Sequence, residues 1–160
     1  MKNSKYWKRR LGNKTPGNAG AYHQHLDFRR IEELDDAGLS YLMNGVKGVE
    51  MLDLNETDIT NASIQLLTTL EYVRELGLKG CNQVDDDCIP DLDRINGLER
   101  LHLKGSSITI DGLLKLSPHH TFMQVMFSAV DVDSIRDKMA FLLERFPQCK
   151  WVINSVPYGD

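Results

Sequence analysis

An aliphatic-x-aliphatic triplet returns about every 25 residues along this 160-residue chain. Its clearest copies are Leu52-Asp53-Leu54, Leu76-Gly77-Leu78, Leu101-His102-Leu103 and Val125-Met126-Phe127, spaced by 24, 25 and 24 residues. Two outer copies, Leu26-Asp27-Phe28 and Trp151-Val152-Ile153, each lie 26 residues from their neighbour. A fixed period constrains the fold more than any single residue does. One unit is too small to bury its own apolar face, so units must stack side by side. In a short strand alternate side chains point the same way. The flanking aliphatics therefore face a core and the middle residue faces outward.

Each triplet is followed by a turn and then by apolar residues three and four apart. Ile59, Ile64, Leu67 and Leu70 follow the first clear copy. Val84, Ile89, Leu92 and Ile95 follow the second, and Ile108, Leu113, Leu114 and Leu116 the third. That spacing predicts helices with one buried stripe. Thr57, Cys81, Ser106 and Val130 open the turns, mostly small or polar groups that satisfy backbone atoms in a tight bend. Ser134 to Phe146 reads as a longer helix with Ile135, Met139, Leu142, Leu143 and Phe146 inward, stopped by Pro147. The Trp151 triplet then makes a terminal cap, and residues 26–48 form a degenerate first unit. The pattern resembles the leucine-rich repeat, whose period is 20–29 residues. The expected fold is α/β: a right-handed leucine-rich repeat solenoid of five or six strands, with a parallel sheet on the concave side and helices on the convex side.

Charge is distributed unevenly. Residues 1–20 hold six Lys and Arg and no acid, leaving −10 on residues 21–160 of a chain whose net charge is −4. Residues 1–21 are expected to be a flexible basic tail, and 22–160 the repeat domain. Such a tail suits an import signal, anionic lipid or an acidic partner, or serves only solubility. No apolar run approaches the roughly 20 residues that span a bilayer. No signal-peptide core is visible. Cys81, Cys88 and Cys149 lack metal-like spacing and read as small buried groups of a reducing compartment.

The segment from Val73 to Ile89, VRELGLKGCNQVDDDCI, resembles the cysteine-containing class of leucine-rich repeat found in F-box proteins and their relatives. It is also similar to the mitochondrial ATP synthase coupling factor B (subunit s) family, in which a repeat carries a turn cysteine, paired acids and a second cysteine. Here those are Cys81, Asp86, Asp87 and Cys88. The ending Phe146-Pro147-Gln148-Cys149-Lys150-Trp151 resembles that family's lead into its last strand. The resemblance implies a non-enzymatic assembly or coupling factor at the matrix side of the inner mitochondrial membrane. A metal contact of the family aligns near Asn55, but its companion site lies in an N-terminal domain that this chain is expected largely to lack, so no metal site is carried over. A cytoplasmic adaptor like the repeat portion of F-box proteins is the alternative.

The expected binding face consists of the outward residues Asp53, Asn55, Lys79, Arg100, His102, Lys104 and Met126. Its centre is basic and one side, at Asp27 and Asp53, is acidic. Such a face suits a protein partner with an acidic segment; no nucleic acid and no cofactor are expected, and the basic tail leaves room for peripheral membrane contact. Asp85, Asp86 and Asp87 read as helix caps. His23-x-His25 and His119-His120 read as solvent-facing, since zinc needs three or four ligands. No G-x-S-x-G, G-K-S/T or G-x-G-x-x-G element is present. A metal-dependent enzyme is therefore the remotest reading. Replacing Leu78 by Ala should destabilise the protein by about 2–5 kcal/mol in denaturant titrations. A negligible effect would contradict its inward assignment.

Overall fold

The structure, a computed structural model, describes residues 2–159. Seven strands build one sheet: β1 (Tyr22–Asp27), β2 (Gly48–Asp53), β3 (Tyr72–Gly77), β4 (Arg100–His102), β5 (Gln124–Phe127), β6 (Lys150–Ile153) and β7 (Val156–Pro157). Their order across the sheet is their order along the chain. β1 to β6 run parallel, and β7 returns antiparallel to β6. Helices α1 (Ser4–Leu11) and α2 (Pro16–Ala19) precede β1. The connections carry α3 (Asp36–Met43), α4 (Asn61–Leu67), α5 (Ile89–Leu92), α6 (Ile110–Leu113) and α7 (Arg136–Arg145). The protein is thus α/β.

The register follows the sequence period. Leu26, Leu52, Leu76, Leu101, Val125 and Trp151 are successive partners across the six parallel strands. All six are buried, as are Leu54, Leu78, Leu103 and Phe127 two residues further on. A second buried row, Val49, Val73, Leu98 and Phe122, precedes each triplet by three residues. From the helical side come Ile59, Ile64, Leu67, Val84, Ile89, Leu92, Ile95, Leu113 and Leu116, also buried. Leu114 is only half-buried.

The turn after each strand repeats a small chemical unit. Its second residue is left-handed: Glu56, Gly80 and Gly105 have φ of 61°, 72° and 75°, a region that favours glycine. Its third residue is small and polar and closes the bend. Thr57 Oγ1 donates to the Leu54 carbonyl at 2.7 Å, and Ser106 Oγ to the Leu103 carbonyl at 2.8 Å. Cys81 Sγ donates to the Leu54 carbonyl of the preceding unit at 3.1 Å. Val130, assigned the same role from sequence, has no such donor and is fully exposed.

Polar side chains tie one unit to the next at the same period. Asn55 Oδ1 accepts the Lys79 N–H at 2.7 Å, and Ser128 Oγ accepts that of Gly105 at 3.2 Å. Asn154 brackets Ala129 through both its amide atoms. On the helical side Asp36 accepts from the N–H and hydroxyl of Thr60 and from the Ser63 hydroxyl. Asp86 repeats this arrangement on Thr109. Gly112 stands where Ser63 stands one arrangement earlier, and a Cβ on it would overlap the Asp86 carboxylate.

The N-terminal segment departs from expectation. Charge and Gly/Asn content predict a flexible tail over residues 1–21, whereas α1 and α2 pack against α3. Trp7 is completely buried, and its Nε1 donates to Asp35 Oδ1 at 2.8 Å. Asp35 also caps α3 by accepting the Gly38 N–H. A Cβ at Gly38 would overlap the indole ring, so this glycine makes room for the docking. One aromatic anchor on a basic helix outweighs the polar composition that suggested disorder.

The C-terminal end follows the expected plan more closely. A 3₁₀ turn over Asp133–Ile135 leads into α7, and Ile135, Met139, Leu142 and Phe146 are buried. Leu143, expected inward, is 37% exposed because it lies beyond the edge of the buried stripe. Phe146 joins Phe122 and Trp151 at ring separations of 5.5 and 6.2 Å, closing the core. The β6–β7 hairpin turns on Asn154 and Ser155, with φ of 51° and 70°, as a two-residue type I′ loop requires. Replacing Trp7 by Ala should cost about 3–5 kcal/mol in denaturant unfolding. Amide protection throughout α1 should vanish with it, whereas a truly detached tail would leave both quantities unchanged.

Candidate functional site

The outward row of the sheet is Asp27, Asp53, Gly77, His102, Met126 and Val152, joined strand to strand by register. The row before it holds Met51, Glu75, Arg100, Gln124 and Lys150. The seven residues assigned to a binding face therefore sit along one face and the turns that leave it. Their individual roles divide sharply.

Asp53 is not a free acid. It is 4% exposed; its Oδ1 accepts the Asn55 N–H, and its Oδ2 lies 3.1 Å from Arg29 Nε. Arg29 also grips Asp27 at 2.7 Å. Hydrogen bonding to Arg29 holds the Asp27 carboxyl well below the usual carboxylate range. One guanidinium thus bridges both acids of this side and offsets half of their charge. Asn55 has its carbonyl engaged by Lys79 N–H and leans over Gly77, where a Cβ would stand 2.9 Å from Asn55 Oδ1. Its first task is architectural. Lys79 pairs with Glu56 at 3.2 Å. A small cleft of about 280 Å³ forms here between Arg29, Arg30, Asn55, Glu56 and Lys79. Arg30 and Glu56 had no place in the expected set; turn residues fall outside the strand period that revealed the others.

The basic centre is more open. Arg100 is exposed, stands beside Glu75 and Gln124 in register, and has no ion pair among the described residues. Lys150 is exposed and likewise unpaired among the described residues. Lys104 Nζ donates to Ser155 Oγ at 2.7 Å, a neutral partner that leaves its charge uncompensated. His102 is half-buried between these cations. Burial first, and then Lys79 and Lys104, push it below its ordinary value, so it is neutral at pH 7. Met126 lies next to it on β5 and supplies an adaptable apolar contact.

The remaining titratable clusters are engaged by the fold. Asp85 accepts the Asp87 N–H as the expected cap and also pairs with the Asn61 amide. Asp86 instead serves the following unit through Thr109. Asp93 anchors Ser117 and lies 3.1 Å from His120 Nε2. His120, expected to face solvent, is buried and stacked against Phe122, with ring centroids 4.8 Å apart. His25 is exposed, while His23 Nε2 bonds the Gly20 carbonyl. All three cysteines are free and buried, and burial pushes the Cys88 and Cys149 thiols up to about 12. They are un-ionised at pH 7 and poor nucleophiles. Among the described residues no three His, Cys, Asp or Glu side chains gather as a metal site would require, and no helix is long and apolar enough to cross a membrane.

No protein-family model matches the chain.

Burial is the chief influence on His120 and lowers its proton affinity, with His119 adding to it and Asp93 opposing it. The unfolded chain takes up this proton near pH 6.5 and the folded protein only at lower pH. The contribution is therefore complete above that value and is lost as pH falls through the folded-state value. Melting temperature should drop as pH is lowered from about 7 through the ordinary histidine range. His120→Gln should flatten part of this drop. An identical slope in the variant would assign the effect to His102 or to carboxylates.

Proposed function

We propose that this chain is a leucine-rich repeat solenoid of the cysteine-containing class, and that it binds a protein partner, without catalysis, across the sheet face centred on β4 and β5. The repeat reading rests on the sequential parallel strands and the recurrent turn chemistry at Thr57, Cys81 and Ser106. In a solenoid of this kind the sheet lines the concave wall, a shape suited to an extended partner segment.

One observation carries the choice of surface. Arg100 and Lys104 on β4 and the turn that leaves it, and Lys150 two strands away on β6, have no carboxylate holding them among the described residues, although residues 21–160 are strongly acidic overall. Cations left unpaired on an acidic body favour an acidic segment on the partner and exclude like-charged competitors. His102, Met126 and Gln124 lie between them as less polar contacts. The resemblance to the coupling factor B family supports a narrower version, an assembly or coupling factor for a mitochondrial respiratory complex or ATP synthase on the matrix side of the inner membrane. The docking of α1 gives the basic N-terminal residues a part in the fold itself.

Affinity capture of the native protein, followed by identification of what comes with it, tests the narrower version directly. Components of a respiratory complex support it, and ubiquitin-ligase components would replace it with the adaptor reading. With the partner in hand, the double variant Arg100→Glu/Lys150→Glu should slow association by about tenfold or more and weaken its dependence on salt. Melting temperature should change little, because both side chains are exposed. Unaltered association would move the binding surface elsewhere.

A further inference from the structure

The sheet ends differently on its two sides. β7 closes one side with two residues that run antiparallel and include Pro157, which has no N–H to offer. β1 closes the other with six residues and pairs with β2 alone. We propose that the free edge of β1 takes up an extended acidic segment of a partner protein as an additional strand. This edge lies three strands from Arg100 and is independent of the surface around it.

Hydrogen bonding and register show which groups are free. The Leu54 and Glu56 N–H groups reach the Gly77 and Lys79 carbonyls on the β3 side, whereas the Asp53 carbonyl receives the Phe28 N–H from the β1 side. Backbone groups of successive strand residues point to alternate sides. Met51 and Asp53 therefore face β1, and Leu26 and Phe28 face β2. His25 and Asp27, the register partners of Met51 and Asp53, point their N–H and C=O groups away from the sheet. No main-chain hydrogen bond outside the β1–β2 ladder involves these two residues among the described residues, and both are exposed.

A bare edge of this kind is a template for another strand. Natural edges are blunted by lysine, proline or a bulge. Between Tyr22 and Asp27 there is no lysine, arginine or proline, and the single acid, Asp27, is held by Arg29. Leu26 and Phe28 are buried beside the edge, so an added strand would extend their apolar row.

Charge selects the occupant. α1 packs against α3, and α3 against α4, so α1 lies at the β1 end of the helical layer. Lys5, Lys8 and Arg9 on α1, and Lys14 just after it, are exposed and have no ion pair among the described residues. This end of the molecule is thus a positive pole on an acidic body. A second copy docking edge to edge would bring two such poles together. An acidic segment meets complementary charge instead, while main-chain bonds to His25 and Asp27 fix it in place.

The probe is a synthetic peptide of about ten residues alternating glutamate with valine, which favours an extended chain. Its lysine–valine counterpart is the control. Fluorescence anisotropy with the full chain should show saturable binding of the acidic peptide that weakens with salt, and none of the basic one. Amide exchange at His25 and Asp27 should slow by about tenfold in the bound state. His25→Pro removes one outward N–H at a position where an edge strand tolerates proline. It should weaken binding by about tenfold, the effect of losing one hydrogen bond, with the melting temperature held. The acidic peptide N-methylated at every residue should fail to bind, which puts the same question to the unaltered protein. Absence of binding by the acidic peptide, or equal binding of the basic one, overturns the proposal. So does binding that ignores N-methylation or leaves exchange at His25 and Asp27 unchanged, which is adsorption to the lysines and arginines of α1. A concentration-dependent dimer in sedimentation that His25→Pro dissociates assigns the edge to a second copy and overturns the acidic partner.

Discussion

Lateral bonding between adjacent units holds this protein together. A single strand and its short helix bury too little to stand alone, and α5 and α6 are only four residues each, below the length at which helices persist in isolation. Each unit is stable because its strand bonds two neighbours and its aliphatic row continues theirs. The same dependence appears in the polar contacts. Asn55 reaches Lys79, Asp36 reaches Thr60, Asp86 reaches Thr109 and Asp93 reaches Ser117, each one period along the chain. These bonds satisfy backbone and hydroxyl groups that short helices and tight turns would otherwise leave unmatched.

The two ends are exceptions to this rule and are built differently. At the C-terminus α7 and the aromatic group of Phe122, Phe146 and Trp151 close the core, and a hairpin finishes the sheet. At the N-terminus one tryptophan performs the corresponding work. Trp7 brings with it a helix whose charge would keep it in water, and Asp35 receives both the indole N–H and the first turn of α3. The proposed protein-binding surface is a property of the repeated part.

Much of the expected face was legible because strand alternation is a strict rule. Once Leu52, Leu76, Leu101 and Val125 are aligned, Asp53, Gly77, His102 and Met126 must form the outward row. What alternation does not report is which outward residue is free. Asp53 is covered by Arg29, and Asn55 is occupied by the next unit, whereas Arg100 and Lys150 are left open. The same limit explains His120. Following a proline in a polar stretch, it resembles a loop residue, yet Asp93 and Phe122 draw it inside.

The amino-acid sequence by itself determined the α/β class, the period, the strand register and the identity of the buried rows, because these follow from apolar spacing along the chain. Tertiary structure alone decided that the basic N-terminal residues form docked helices, that Arg29 bridges Asp27 and Asp53, and that His120 is drawn into the interior. Those outcomes depend on contacts between residues many positions apart, where what matters is which groups meet and not how they are spaced.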